Sequence, residues 1–179
     1  MKILFDAIEQ SFEINNIYGV IEDLYSGEGT DFVQCSVCTY RSAKLTKFYD
    51  LCLPVRNEFE NIKNDSIEKA IFGYLKPEIL DGDNAYFCCD CDKKVKASKG
   101  SRLNKLPKIL ALQLQRFDLD PTTWQRRKLN DRVSFSLTLN MNHFLNEGKQ
   151  SDWSQTESLI SENPLSEIRP SHYKAATIK

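Results

Sequence analysis

Two cysteine pairs at the same spacing, Cys35-Ser-Val-Cys38 and Cys88-Cys89-Asp90-Cys91, constrain this chain more than any other feature. A C-x2-C unit turns the backbone tightly and sets two sulfurs on one side of a metal, and a tetrahedral zinc ion accepts four thiolates. The pairs are separated by about fifty residues, far more than the ~15–20 of a compact zinc ribbon. Whatever lies between them must therefore be looped out, as in a long hairpin pinned at its tip. Four reduced cysteines without metal and a disulfide framework are the other uses of such pairs. The sequence favours a structural zinc site with Cys35, Cys38, Cys88 and Cys91 as ligands, which leaves no open position for a catalytic water. Cys89 is then a spare thiol, and Cys52 a small apolar filler in its strand.

Charge narrows the class. Lys and Arg number 24 against 25 Asp and Glu, a formal net charge of −1, without the basic excess of a nucleic-acid binder. No apolar run approaches the roughly 20 residues of a membrane span, so neither nucleic acid nor membrane is expected as a partner. The N-terminus, MKILFDAIEQSF, lacks a long apolar core and a small-residue cleavage site, so it reads as mature protein. A reducing compartment follows, cytoplasm or nucleus, where paired cysteines point to metal before disulfide.

Periodicity fills in the elements. Ile3, Leu4, Ala7, Ile8 and Phe12 predict an amphipathic opening helix, with Leu4, Ile8 and Phe12 needing a packing partner. SGEGTD (26–31) reads as a break, and FVQCSVCTYRS as strand, knuckle and return strand. KFYDLCLPV (47–55) alternates as a half-buried strand ended by Pro54. Asp65 or Ser66 caps a helix whose apolar face is Ile67, Ala70, Ile71, Tyr74 and Leu75, with Pro77 beyond it. DGDN (81–84) is a turn. LPKILALQLQRFDLD (106–120) predicts a buried strand, and LNDRVSFSLTLNMNHF (129–144) another alternating strand. Residues 146–179 are mostly polar and read as a flexible tail or insertion after a domain spanning 1–145.

The order of these words resembles a known family. Knuckle, L-x-L-P strand end, helix, D-G-x-N-x-Y-x-C-x-x-C, L-x-L-x-R-F and K-x-N-D-R together resemble the catalytic domain of the ubiquitin-specific proteases, which are cysteine-type deubiquitinases. FDAIEQ (5–10), PEILDGDNAYFC (77–88) and LQLQRFDLDPTTWQRRKLNDR (112–132) look closest to its ubiquitin carboxyl-terminal hydrolase 47 branch. The resemblance implies an α+β, papain-like cysteine protease fold of fingers, palm and thumb, present here only in part. Residues 1–12 would belong to the thumb, 31–55 and 80–103 to zinc-bearing antiparallel fingers, and 106–144 to the palm. It also implies ubiquitin or ubiquitinated proteins as partners, with Arg116, Phe117 and Lys128 near the channel for ubiquitin's C-terminal tail.

The chemistry of that family is not legible in this chain. A thiolate attacks the carbonyl after ubiquitin's last glycine, with a histidine as base and then acid. No Asn-x-x-x-Thr-Cys-Tyr box and no Gln-x-Asp-x-Gln-Glu box is present. Ser171-His172-Tyr173-Lys174-Ala175 echoes half of the family's Gly-Gly-His-Tyr-x-Ala segment, but without the glycines it reads as polar tail. His143 reads as a surface or helix-start residue. No catalytic residue is therefore assigned. Two classes remain: a fragment of a deubiquitinase, inactive alone, and a non-catalytic ubiquitin-binding or scaffold module with a structural zinc.

Overall fold

The computed structural model describes residues 2–57, 62–120, 122–145 and 172–174. The chain opens with helix α1 (Lys2–Ile14) and, after Gly19 in a left-handed turn, the short helix α2 (Val20–Tyr25). The predicted helix is there, but its anchor is Phe5, which is buried with its ring centroid 4.7 Å from Tyr25 and 6.5 Å from Tyr49. Ile8 and Phe12 are half-buried and Leu4 is 56% exposed. Aromatic partners contributed by α2 and by the chain beyond it thus choose the buried side of α1, which helical spacing alone does not reveal.

Strand β1 (Gly27–Cys35) runs straight through the stretch read as a break and pairs antiparallel with β2 (Arg41–Phe48). Gly27 is there for close approach: a Cβ on it would lie 2.3 Å from Phe48 Cζ. The predicted strand over 47–55 divides at Tyr49, since β3 (Asp50–Pro54) leaves β2 for another sheet. Its alternation is as expected, with Leu51 and Leu53 fully buried. Cys52, however, is exposed, because it occupies the outward position between them. It fills no core space.

Two short strands, β4 (Arg56–Asn57) and β5 (Ile62–Lys63), form a small ladder before helix α3 (Ile67–Leu75). Ser66 caps α3 by accepting from the Lys69 amide at 3.2 Å, satisfying one of the first-turn donors. Strand β6 (Glu78–Leu80) and a 3-10 turn at Gly82–Asn84 lead to the hairpin β7 (Tyr86–Cys88) and β8 (Lys93–Val95). Strand β9 (Ala97–Lys105) then returns along β1, completing an antiparallel sheet of order β2-β1-β9-β6. The looped-out hairpin expected from the cysteine spacing is this sheet together with α3.

Strand β10 (Ala111–Gln115) pairs parallel with β3, placing Leu112 beside Leu51 and Leu114 beside Leu53. It is half-buried rather than buried, because β3 is its one ladder partner among the described residues. Beyond it come the hairpin β11 (Phe117–Leu119) and β12 (Arg126–Lys128), and strand β13 (Thr138–Asn140). The strand predicted over 129–144 shrinks to Thr138–Asn140. The reason lies in where the backbone finds partners: Ser134 O accepts from the Ile67 amide at 3.0 Å and Ser134 N donates to Asp65 O at 2.7 Å. This segment closes the N-terminus of α3 instead of joining a sheet.

The main core lies between α3 and the β3–β10 pair. Leu51, Leu53, Ala70, Ile71 and Met141 are fully buried there, with Leu75, Leu103, Leu139 and Phe144 around them. Of the stretch read as a polar tail, 146–171 and 175–179 lie outside the described residues. His172–Lys174 forms strand β14, antiparallel to β13 with His172 opposite Asn140. No helix among the described residues is long and apolar enough to cross a membrane.

Candidate functional site

The two knuckles converge at one end of the four-stranded sheet. Cys35 is the last residue of β1 and Cys38 sits in the turn to β2, while Cys88 ends β7 and Cys91 sits in the turn to β8. The Cys35 amide donates to Tyr40 O at 3.0 Å and the Ser36 amide to Lys96 O at 3.0 Å, which ties the first knuckle to the chain beyond the second. Asp92, at φ 49°, makes the left-handed step out of the second knuckle, a conformation that aspartate tolerates better than most residues. Val95, Tyr40 and Tyr86 pack around the sulfurs.

All four Sγ atoms lie within 4.8 Å of one another, with Cys35 and Cys91 at 3.9 Å and Cys38 and Cys88 at 3.5 Å. Four sulfurs about 2.3 Å from a central zinc would stand roughly 3.8 Å apart. A disulfide needs about 2.05 Å, and all four are free thiols. The Val37 and Cys38 amides point at Cys35 Sγ at 3.3 and 3.4 Å. The Cys38 amide is the main cause that lowers the Cys35 thiol to about 7. Cys91 is pushed the other way, to about 12, first by its hydrogen bond with Cys38 and then by burial. A cluster in which one thiol ionises readily and another resists is what an added divalent cation resolves, since it removes the mutual repulsion of the thiolates. The donor set therefore fits zinc. Cys89, next to Cys88, is exposed and stands outside the cluster.

The other predicted residues meet on the β11–β12 hairpin. Phe117 is directly opposite Lys128 in the ladder, and both side chains are exposed, Phe117 at 64%. Phe117 is thus no core residue. Arg116, just before β11, donates from Nη1 to Leu129 O at 3.3 Å and Asp131 O at 2.8 Å, while its own carbonyl accepts from the Leu129 amide at 2.6 Å. Arg116 ties the start of the hairpin to the chain beyond it through Nη1.

Sequence reasoning missed the ion pair behind it, Arg56 Nη2 with Asp131 Oδ1 at 2.9 Å. The hydrogen bond from Arg56 holds the Asp131 carboxyl below its ordinary 3.8. A depressed folded value contributes stability above the unfolded pKa, lost as pH falls through the folded one. Asp131→Asn should therefore be less stable than wild type at pH 7, with the gap closing below about pH 4. Denaturant midpoints at the two pH values check this.

The other missed element is β14. His143 is exposed in a turn, as expected, but His172 belongs to a strand beside β13 rather than to a structureless tail. The segment Ser171–Ala175 carried the signal, and the missing glycines obscured it.

The sequence profile of the ubiquitin carboxyl-terminal hydrolases matches residues 1–173. The chain belongs to that family. It is 41% identical over 150 residues, 84% of its length, to ubiquitin carboxyl-terminal hydrolase 47 of Drosophila melanogaster. The Homo sapiens hydrolase 47 is 40% identical over 158 residues, and the Homo sapiens hydrolase 40 is 32% identical over 161 residues. These alignments cover 88% and 89% of the chain but 11% and 13% of those relatives, and 10% of the fly protein. The chain thus spans about a tenth of the curated relatives it matches. For this family the papain-like fold of the ubiquitin-specific proteases is implied, and the mixed α/β architecture with antiparallel sheets and a cysteine cluster agrees with it.

Proposed function

We propose that this chain is the finger region, with parts of thumb and palm, of a cysteine-type deubiquitinase, and that it recognises ubiquitin without cleaving it alone. The observation that carries this reading is the family match across residues 1–173. On this reading α1 belongs to the thumb, the four-stranded sheet to the fingers, and β10 to β14 to the palm. One structural zinc at Cys35, Cys38, Cys88 and Cys91 pins the fingertip, supported by their sulfur spacing. Phe117 and Lys128 line the path of ubiquitin's C-terminal tail, supported by their exposure on one hairpin, and Arg116 holds that hairpin in place. A cytoplasmic or nuclear setting accords with six free thiols.

None of these thiols fits the role of nucleophile. Four are committed to the knuckles, and Cys52 and Cys89 have no histidine partner among the described contacts. The β13–β14 pairing and the reach of the family match to residue 173 favour reading His172 as the counterpart of the family's base. Incubated with a ubiquitin–fluorophore conjugate at micromolar protein, the chain should release no fluorophore. Turnover abolished by a single Cys→Ala substitution would overturn the inactive reading. The alternative, a scaffold that never belonged to an enzyme, predicts ubiquitin binding but no cleavage when a segment carrying the family's cysteine box is supplied, whereas the enzyme reading predicts cleavage that His172→Ala abolishes.

A further inference from the structure

One outer side of the four-stranded sheet carries charge that nothing described neutralises. Phe32, in the middle of β1, is buried, and its ring reaches across to β9 over Gly100, where a Cβ would lie 3.1 Å from Phe32 Cζ. The absent side chain makes room for the ring. Two guanidinium groups lie over that ring, Arg41 Cζ 4.8 Å and Arg102 Cζ 4.9 Å from its centroid. The ladder shows how they get there. Arg41 of β2 is opposite Gln34 and Arg102 of β9 is opposite Thr30, the two positions flanking Phe32 on its own side of the strand.

Neither arginine has a carboxylate partner among the described residues, although neighbouring lysines do: Lys47 pairs with Glu22, and Lys105 with Glu28 at 3.7 Å. Arg102 Nε is shielded from solvent and has no hydrogen-bond partner. Burial, and then the charge of Arg41, draw the Arg102 pKa below its usual value. Such a pair is costly to keep: Arg102 has given up part of its hydration and received a ring face in return, while terminal donors of both guanidinium groups remain to be used. The same side exposes Leu45 at 74%, on Arg41's own strand, and Ile79 at 52%, on β6 beyond Arg102's strand.

We infer that the Arg41–Phe32–Arg102 surface is a docking site for an extended acidic segment of a partner protein, one that presents carboxylates at alternate residues. Charge complementarity selects the occupant: guanidinium forks match carboxylates bidentately. The span admits an extended form. The two guanidinium carbons can be no further apart than their two distances to the shared ring centroid, and alternate side chains of an extended strand stand roughly 6.8 Å apart on one side. Leu45 and Ile79 then give an apolar border that excludes water from the charge pairs and strengthens them. This inference rests on the geometry of the sheet alone and not on the proposed enzymatic family role; the site shares no residue with the β11–β12 hairpin.

The test uses the whole zinc-loaded chain and a soluble nonapeptide alternating glutamate and threonine, with its glutamine counterpart as control, followed by NMR and by titration at two salt concentrations. The glutamate peptide should bind saturably, shift the Gly100 amide and the Phe32 ring signals, and weaken as salt rises. Arg41→Gln and Arg102→Gln should each weaken it about tenfold or more. Arg41 is exposed on an outer strand, so Arg41→Gln should keep the wild-type melting temperature and decides the matter even where Arg102→Gln fails to fold. Equal binding of the glutamine peptide, absence of binding, shifts confined to other surfaces, or wild-type affinity in Arg41→Gln would each overturn the inference.

Discussion

Cys88→Ala should abolish zinc binding and lower the melting temperature by about as much as a large core truncation. Cys88 is fully buried, and its Sγ closes the cluster 3.5 Å from Cys38. Losing one ligand of four leaves three sulfurs crowded without the cation that reconciles them. Structural zinc in small finger peptides is worth about 10–16 kcal/mol at neutral pH. If even about 4 kcal/mol of that reaches the whole domain, the midpoint falls by roughly 8–16 °C. Metal analysis should give one zinc per wild-type chain and none for Cys88→Ala, while Cys89→Ala keeps its zinc because the exposed Cys89 lies outside the cluster. Loss of zinc from Cys89→Ala would instead assign the second knuckle to Cys89 and Cys91. The pH direction is fixed as well: zinc requires thiolates, so competition by a chelator should become easier as pH falls.

The second large effect belongs to the other core. Ile71→Ala should cost about 2–5 kcal/mol in a denaturant titration. Ile71 is fully buried in α3 against Leu51, Leu53 and Met141, where little can move in to fill the gap. Leu137→Ala, at a position 79% exposed, should stay within about 0.5 kcal/mol of wild type. The two substitutions remove comparable apolar side chains, so a similar cost for both would mean that Ile71 is not packed between α3 and β3.

The features that were legible in the sequence are those whose cause is local. Ser66 caps α3 because its own hydroxyl reaches an amide three residues on, and the x2 spacing of each knuckle states its own geometry. What escaped depends on partners distant in the chain. Gly27 and Gly29 looked like a break, yet the packing of Phe48 against Gly27 makes small residues a requirement of the strand. Cys52 alternates correctly but faces outward, and only the burial of Leu51 and Leu53 against α3 says which side is in. The alternating residues 129–144 have the pattern of a strand, but only 138–140 form one, and Ser134 gives its backbone groups to the start of α3. β10 is a strand as expected, but its parallel pairing with β3 depends on a segment some sixty residues upstream. For the candidate site the same division holds. The cysteine quartet was readable as a set, whereas Phe117 and Lys128 were expected from resemblance alone, and nothing in their own sequence says that the ladder sets them opposite one another.

The central claim, that this chain recognises ubiquitin through the β11–β12 hairpin, is tested most directly by titrating ubiquitin into the zinc-loaded chain and into Phe117→Ala. Phe117 is exposed, so its truncation should leave the melting temperature unchanged. The account predicts saturable binding by wild type and at least about tenfold weaker binding, ~1.4 kcal/mol, by Phe117→Ala. No binding by the folded, zinc-loaded wild type, or equal affinity in the two proteins, would contradict it.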